Sequence, residues 1–131
     1  MNYYTKHHIA ALYSTPGAFD PSAIASALEP DVTLHVPGSH PLSGDHHGVA
    51  GVGQFLERTR NTTDDGEHIE LIEILDGETH IGAYVRVTAH RGGRTPLVNH
   101  TIHLFRLTED DRIAEIWFHN REQAAVDEFW S

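Results

Sequence analysis

Apolar side chains recur at helical spacing in the first half of the chain and alternate in the second. Lys6 to Tyr13 carries Ile9, Leu12 and Tyr13 on one side of a predicted helix, which breaks at Pro16–Gly17. Asp20 then caps a second short helix, with Pro21 at its first position and Ile24, Ala25 and Leu28 on one side. Val32, Leu34 and Val36 alternate and predict a strand ending at Pro37–Gly38. The stretch PGSHPLSGDHHG has loop chemistry throughout. Val52, Phe55, Leu56 and Thr59 then mark a third helix at i, i+3, i+4 and i+7.

From Glu67 onward the pattern is a meander. Glu67 to Leu75 is one strand, closed by the hairpin signal Asp76–Gly77. Thr79 to His90 follows, with Ile81, Ala83, Val85, Val87 and Ala89 in strict alternation. Arg91-Gly92-Gly93-Arg94 turns the chain into Thr95 to Leu107, and Thr108–Asp111 turns it into Arg112 to His119. Asn120 with Gln123 three residues on resembles a capping box and predicts a short C-terminal helix. Helices first and a meander after them predict one α+β domain over residues 1–131, with helices covering one face of a curved antiparallel sheet.

Turn symmetry predicts which side chains meet. If His90 faces Thr95, Val85 lies opposite His100 and Ala83 opposite Ile102. If Leu107 faces Arg112, Leu104 lies opposite Glu115, Ile102 opposite Trp117 and His100 opposite His119. Opposed residues share a face. The face under the helices is then apolar apart from His100, Glu115, Trp117 and His119. The other face holds Tyr84, Arg86, Asn99, Thr101, His103, Phe105, Ile116 and Phe118, a mixture that suits a subunit contact. A slip of one residue in either turn would exchange the faces.

Composition narrows the chemistry more than the fold. The 131 residues are enough for one core, and the absence of cysteine removes disulfides, thiolate nucleophiles and thiolate metal sites. A formal net charge of −10 argues against nucleic acid and against an anionic membrane surface as partners. No apolar run has the length of a membrane span, and the N-terminus lacks the apolar region of a signal peptide, so a cytoplasmic protein is expected. Twelve histidines, spread from His7 to His119, offer groups that titrate near neutral pH.

An apolar cavity with a few convergent polar groups is the usual form of a small-molecule site. His100, His119 and Glu115 are the expected catalytic groups, with pKa values shifted by burial. Glu115 has a competing role as the ion-pair partner of Arg106. Trp117, Ile102, Val85 and Phe55 supply expected substrate-binding walls, joined by His35 and His46. The side chain of His35 points either into the pocket or away, since Leu34 and Val36 claim the core parity. His40, His46 and His47 share a loop with Asp45, but their spacing matches no established ligand pattern, and no metal is expected. The chain has no G-x-S-x-G nucleophile elbow, and GVAGVG lacks the lysine of a P-loop.

HVPGSHPLSGDHHG, residues 35 to 48, resembles the strand-loop-helix segment of SnoaL-like proteins, which commonly reads as a histidine, Pro-Gly, then Pro-Leu-x-Gly and an aromatic-x-Gly. RIAEIWFHNREQAAVDEFW, residues 112 to 130, is similar to the closing strand and tail of the same group. The resemblance covers essentially the whole chain. It implies the cone-shaped nuclear transport factor 2-like fold with a deep pocket, no cofactor and frequent dimers, here through the outer sheet face. That superfamily includes polyketide cyclases, ketosteroid isomerase, limonene epoxide hydrolase and non-catalytic binding members. The usual aromatic of the loop is replaced in Asp45-His46-His47-Gly48, so no tyrosine acid carries over to that position.

The expected function is cofactor-free acid–base catalysis on a small, largely apolar, polyketide-like substrate, by cyclisation or isomerisation or by epoxide opening. The alternatives are a non-catalytic small-molecule-binding protein, a dimeric scaffold, and an epoxide hydrolase. The last needs two carboxylates and an arginine near the pocket.

Overall fold

Strict alternation over Ile81–Ala89 builds an interior strand of the sheet, because a period of two places the alternating apolar residues Ile81, Ala83, Val85, Val87 and Ala89 on one side. The computed structural model describes residues 3–14 and 24–131. In chain order its elements are α1 (Tyr3–Ala11), β1 (Leu28–Val36), β2 (Gly44–His47), α2 (Gly48–Thr62), β3 (Asp64–Asp76), β4 (His80–His90), β5 (Leu97–Leu107), β6 (Ile113–Asn120) and α3 (Gln123–Trp130). The strand order is β2-β1-β6-β5-β4-β3. Helix α1 packs on β3 and β4, α2 on β1 and β3, and α3 on β5. The α+β class is as expected.

Several expectations are corrected. The sheet is mixed rather than wholly antiparallel, because β1 joins the free edge of β6 in parallel, with Leu34 beside Ile116 and His35 beside Trp117. Gly44–His47 is a strand instead of loop, since β1 turns back on itself and pairs His35 with Asp45 and Leu34 with His46. Leu28 opens β1 rather than closing a helix, and Asp20 and Pro21 lie outside the described residues. Helix α3 is present without the capping box. Its N-cap is Glu122, with no side-chain cap bond, and the Asn120 amide instead donates to Gln123 Oε1 at 3.0 Å. At the other end of α3, Arg91 and Arg94 of the β4–β5 connection donate to the carbonyls of Phe129 and Glu128 at 2.6 and 2.9 Å, which satisfies groups that a helix end leaves open.

The register between β4 and β5 differs by one residue from the symmetric turn. Ala89 pairs with Leu97, Val85 with Thr101 and Ala83 with His103. Pro96 supplies the reason: without an N–H it cannot join the ladder, so pairing begins one residue later and the connection from His90 to Pro96 has an odd length. Between β5 and β6 the offset is two. Ile102 faces His119 and Leu104 faces Trp117, with an irregularity between Arg106 and Leu107. An offset of two preserves the face, whereas an offset of one reverses it. Asn99, Thr101, His103 and Phe105 therefore turn toward the helices, and His100, Ile102, Glu115, Trp117 and His119 turn away.

The core lies between helices and sheet. Ile9, Tyr13, Ile24, Val52 and Phe55 meet Val32, Leu34, Ile81, Val85, Phe105 and Ile116 there, all buried.

Candidate functional site

Between the helices and the inner sheet face lies a cavity of about 460 Å³. Its walls include Leu42, Phe55, Val87, Leu97, Phe118 and Trp130, and its polar groups include Asn99, Thr101, His103, Asn120, His40 and Glu67. Inner-face positions of a strand are usually aliphatic, as they are in β4. In β5 three in succession are Asn99, Thr101 and His103, between Leu97 and Phe105.

His103 is 4% exposed. Its Nδ1 and the hydroxyl of the buried Tyr13 are 2.9 Å apart, and the Phe118 ring lies against it with centroids 4.3 Å apart. Desolvation pulls the His103 pKa down to about 3 and pushes that of Tyr13 well up, so at neutral pH the pair is an uncharged imidazole beside an un-ionised phenol. In the tautomer where Tyr13 donates to Nδ1, the ring's own proton stands on Nε2.

Glu67 reaches the cavity through a backbone irregularity. Asp64 pairs with His90 and His68 with Thr88, and the register shifts between them. Asp65 and Gly66 take the left-handed conformation, with φ of 66° and 75°, and so make a bulge that re-aims the next side chain. Burial raises the Glu67 pKa to about 7, against the opposing hydrogen bond of the Thr59 side chain. A carboxyl poised near neutrality in a cavity can both take and return a proton.

His40 is buried at the cavity wall. Its Nδ1 accepts the Leu42 N–H at 3.1 Å. Burial lowers its pKa, against the pull of the Asp127 carboxylate and the Pro37 carbonyl.

The outer face carries a separate network. His35 Nδ1 meets Asp45 Oδ1 at 2.8 Å and its Nε2 meets Glu115 Oε2 at 2.5 Å, while Arg106 Nε donates to Glu115 Oε1 at 3.2 Å. The Trp117 ring stacks on His35 with centroids 5.4 Å apart. His100 Nδ1 lies 2.9 Å from Glu122 Oε1 and 3.0 Å from Arg121 Nη2.

The structure thus moves most of the residues expected at the pocket. His100, His119, Glu115, Trp117 and Ile102 are on the outer face, and His35 points outward with them. Glu115 takes the Arg106 partnership that competed with its expected role. Val85 is inside but fully buried in the core, and the cavity lining does not include it. Phe55 lines the cavity. His46 stands behind Phe55, with ring centroids 5.0 Å apart and Nε2 2.9 Å from the Leu42 carbonyl. His40 and His46 lie on the cavity side of the sheet and Asp45 on the outer face, so those loop residues do not converge. Among the described residues no three His, Asp or Glu side chains gather to hold a metal ion.

The family profile of the SnoaL-like domain matches residues 9–116. The chain belongs to the SnoaL-like family. A search of curated proteins finds no match. Among solved structures the SnoaL-like chain is similar to Bal32a from a soil-derived mobile gene cassette, at 22% identity and TM-score 0.88, covering 97% of this chain and 96% of that one. It is similar to a protein of unknown function with a cystatin-like fold from Xanthomonas campestris, at 25% identity and TM-score 0.86, covering 100% and 99%. It is also similar to TerC, co-crystallised with polyporic acid, at 18% identity and TM-score 0.79, covering 97% and 98%. With the likeness to a nuclear transport factor 2-like protein from Burkholderia pseudomallei, at 18% identity and TM-score 0.83, covering 100% and 99%, they establish the nuclear transport factor 2-like fold for this SnoaL-like domain. No helix among the described residues is long and apolar enough to cross a membrane.

Sequence reasoning missed Glu67, Asn99, Thr101, His103 and Asn120 as cavity residues. Pro96 was the available signal for the β5 residues, since it delays pairing. Glu67 had a weaker one in Asp64-Asp65-Gly66, turn residues at the start of a strand.

Proposed function

We propose that this SnoaL-like domain is a cofactor-independent acid–base enzyme acting on a small, largely apolar carbonyl compound, by isomerisation or cyclisation. One observation carries the reading: a bulge places the Glu67 carboxyl on the cavity wall, where burial raises its pKa to about 7. As a carboxylate it removes a proton from the carbon beside a carbonyl. The C–H electron pair moves into the carbonyl, leaving an enolate. Returning the proton to another carbon isomerises the compound, and attack of the enolate carbon on a second carbonyl closes a ring. His103, kept uncharged and braced by Tyr13, offers a neutral hydrogen-bonding group on the cavity floor. The co-crystallisation of TerC, a protein of the same fold, with polyporic acid supports a pocket suited to oxygenated ring compounds.

The test is deuterium exchange at the α-carbon of 1-indanone and 2-tetralone in D₂O, followed by NMR. Exchange should rise with pH through a midpoint of about 7. Glu67→Gln should lower it by roughly a hundredfold to ten-thousandfold. Saturable binding with no exchange would replace the enzyme reading with a small-molecule-binding protein. Epoxide opening keeps one observation in its favour, since Arg60 and Asp65 line the same cavity as Glu67. Turnover of a cyclic epoxide, lost in both Asp65→Asn and Glu67→Gln, would favour it. We also propose a homodimer through the outer face, where Trp117, Ile102 and Tyr84 are left uncovered by helices. A monomer at micromolar concentration in sedimentation would overturn that.

A further inference from the structure

Thr101, 2% exposed, lies opposite Asn120 in the β5–β6 ladder and two residues from Asn99 on the same face. All three line the cavity. The Thr101 hydroxyl has no hydrogen-bond partner among the described residues. Native proteins seldom leave such a group unmatched without a use.

The two asparagines belong to a chain of amides whose direction is set at both ends. The Glu122 backbone N–H can only donate, so Asn99 turns Oδ1 to it, at 3.3 Å. The Asp127 carboxylate and the Pro37 carbonyl can only accept, so Gln123 turns Nε2 to them, at 2.9 and 3.5 Å. Between these ends, Asn99 Nδ2 donates to Asn120 Oδ1 and Asn120 Nδ2 donates to Gln123 Oε1, each at 3.0 Å. Every amide carbonyl in the chain is engaged, and each asparagine keeps one further N–H. Those spare N–H groups are donors that the amides can offer to the cavity.

Asp127 itself is held from outside the cavity. It accepts the Ser39 backbone N–H at 3.0 Å and the Ser39 hydroxyl at 3.3 Å. The Ser39 amide, with Gln123, keeps its carboxyl below the ordinary range despite some desolvation. Gly38 makes room for it: at φ +106° a Cβ there would come within 2.2 Å of Asp127 Oδ1.

We propose that Thr101, Asn99 and Asn120 form a donor-lined subsite for an acceptor oxygen of the ligand, a ketone carbonyl or its enolate, and that Asp127 is a positioning residue that holds the Gln123 end of the amide chain. The subsite deepens the function proposed above and rests on the cavity being the ligand site. It does not depend on Glu67 transferring a proton. It favours a ligand that presents an oxygen acceptor at that point.

The experiment measures binding of 1-indanone and of indane, its carbonyl-free counterpart, by calorimetry, and the carbonyl stretch of bound 1-indanone by infrared difference spectroscopy. The native protein should prefer the ketone and shift its stretch to lower frequency. Thr101→Val, the same shape without the hydroxyl, should weaken ketone binding about three- to tenfold, spare indane, and return part of the shift. Asp127→Leu should do the same at lesser amplitude, and Asp127→Asn, which can still accept from Gln123, should restore it. No ketone preference in the native protein, or an unshifted stretch, overturns the subsite. Equal loss of indane binding in Asp127→Leu overturns the positioning role, because a merely structural contact would weaken both probes alike. Loss of α-proton exchange with the ketone preference intact would sink the acid–base reading and leave this one standing.

Discussion

His103 and His35 sit on strands of one sheet, each with an aromatic ring against it and each with a hydrogen-bonding partner at Nδ1. His103 faces the helices, and desolvation holds its pKa at about 3. His35 faces outward. Desolvation also pulls its pKa down, but hydrogen bonds and charges from Glu115 and Asp45 outweigh that and raise it. The Glu115 carboxyl is correspondingly lowered, first by His35, with Arg106 adding to it against desolvation. The same side chain is thus a fixed neutral group on one face and an ion-pair member on the other. What differs is the partner set brought by neighbouring strands, and cavity chemistry belongs to the face where charge is withheld.

The widest gap between the faces should appear in packing. Phe105→Ala removes a fully buried ring and should cost about 3–5 kcal/mol, while Leu104→Ala, one residue along on the outer face, should cost about 1 kcal/mol in the monomer. Urea denaturation of both variants measures this. Similar costs would mean that β5 is turned the other way.

Acid should separate the faces next. The unfolded chain takes up a proton at His103 near its ordinary value of 6.5, and the native chain only near 3. Stability from this group is whole above about pH 6.5 and falls as pH drops toward 3, with a slope of up to about 1.4 kcal/mol per pH unit. His103→Gln should flatten that part of the profile, and His40, also lowered, adds in the same direction. A profile unchanged by the substitution would place His103 in water.

The smallest effect lies at His35, where the sign reverses. Its native pKa is raised, so its contribution is present below 6.5 and lost as pH rises through the raised value. Its side chain is 29% exposed and its partner Asp45 54%, so solvent limits the contribution to about 1 kcal/mol or less. His35→Gln should shrink the loss of stability between pH 6 and pH 8. An NMR titration should find the His35 ring holding its proton above the ordinary histidine range, and a midpoint below it would break the comparison.

Local patterning determined the class of this protein. Alternation through Ile81–Ala89, the helical stripe Val52-Phe55-Leu56-Thr59 and the Pro-Gly break after Val36 each predicted an element that is present, because each records which side of the backbone is apolar. The segment from His35 to Gly48 carried the family resemblance. The occupants of the cavity were decided elsewhere. β5 has apolar residues at both parities, Leu97, Phe105 and Leu107 against Val98, Ile102 and Leu104, so its own sequence does not say which side goes in. Its facing depends on where pairing with β4 begins, and Pro96 moves that point by one residue. The bulge that delivers Glu67 is likewise a property of two strands. The opposite states of His103 and His35 arise from burial of the one and from the Asp45 and Glu115 carboxylates beside the other. Periodicity is a local property and can be read from one segment. Register, burial and pKa depend on which segments meet, and only the folded chain brings them together.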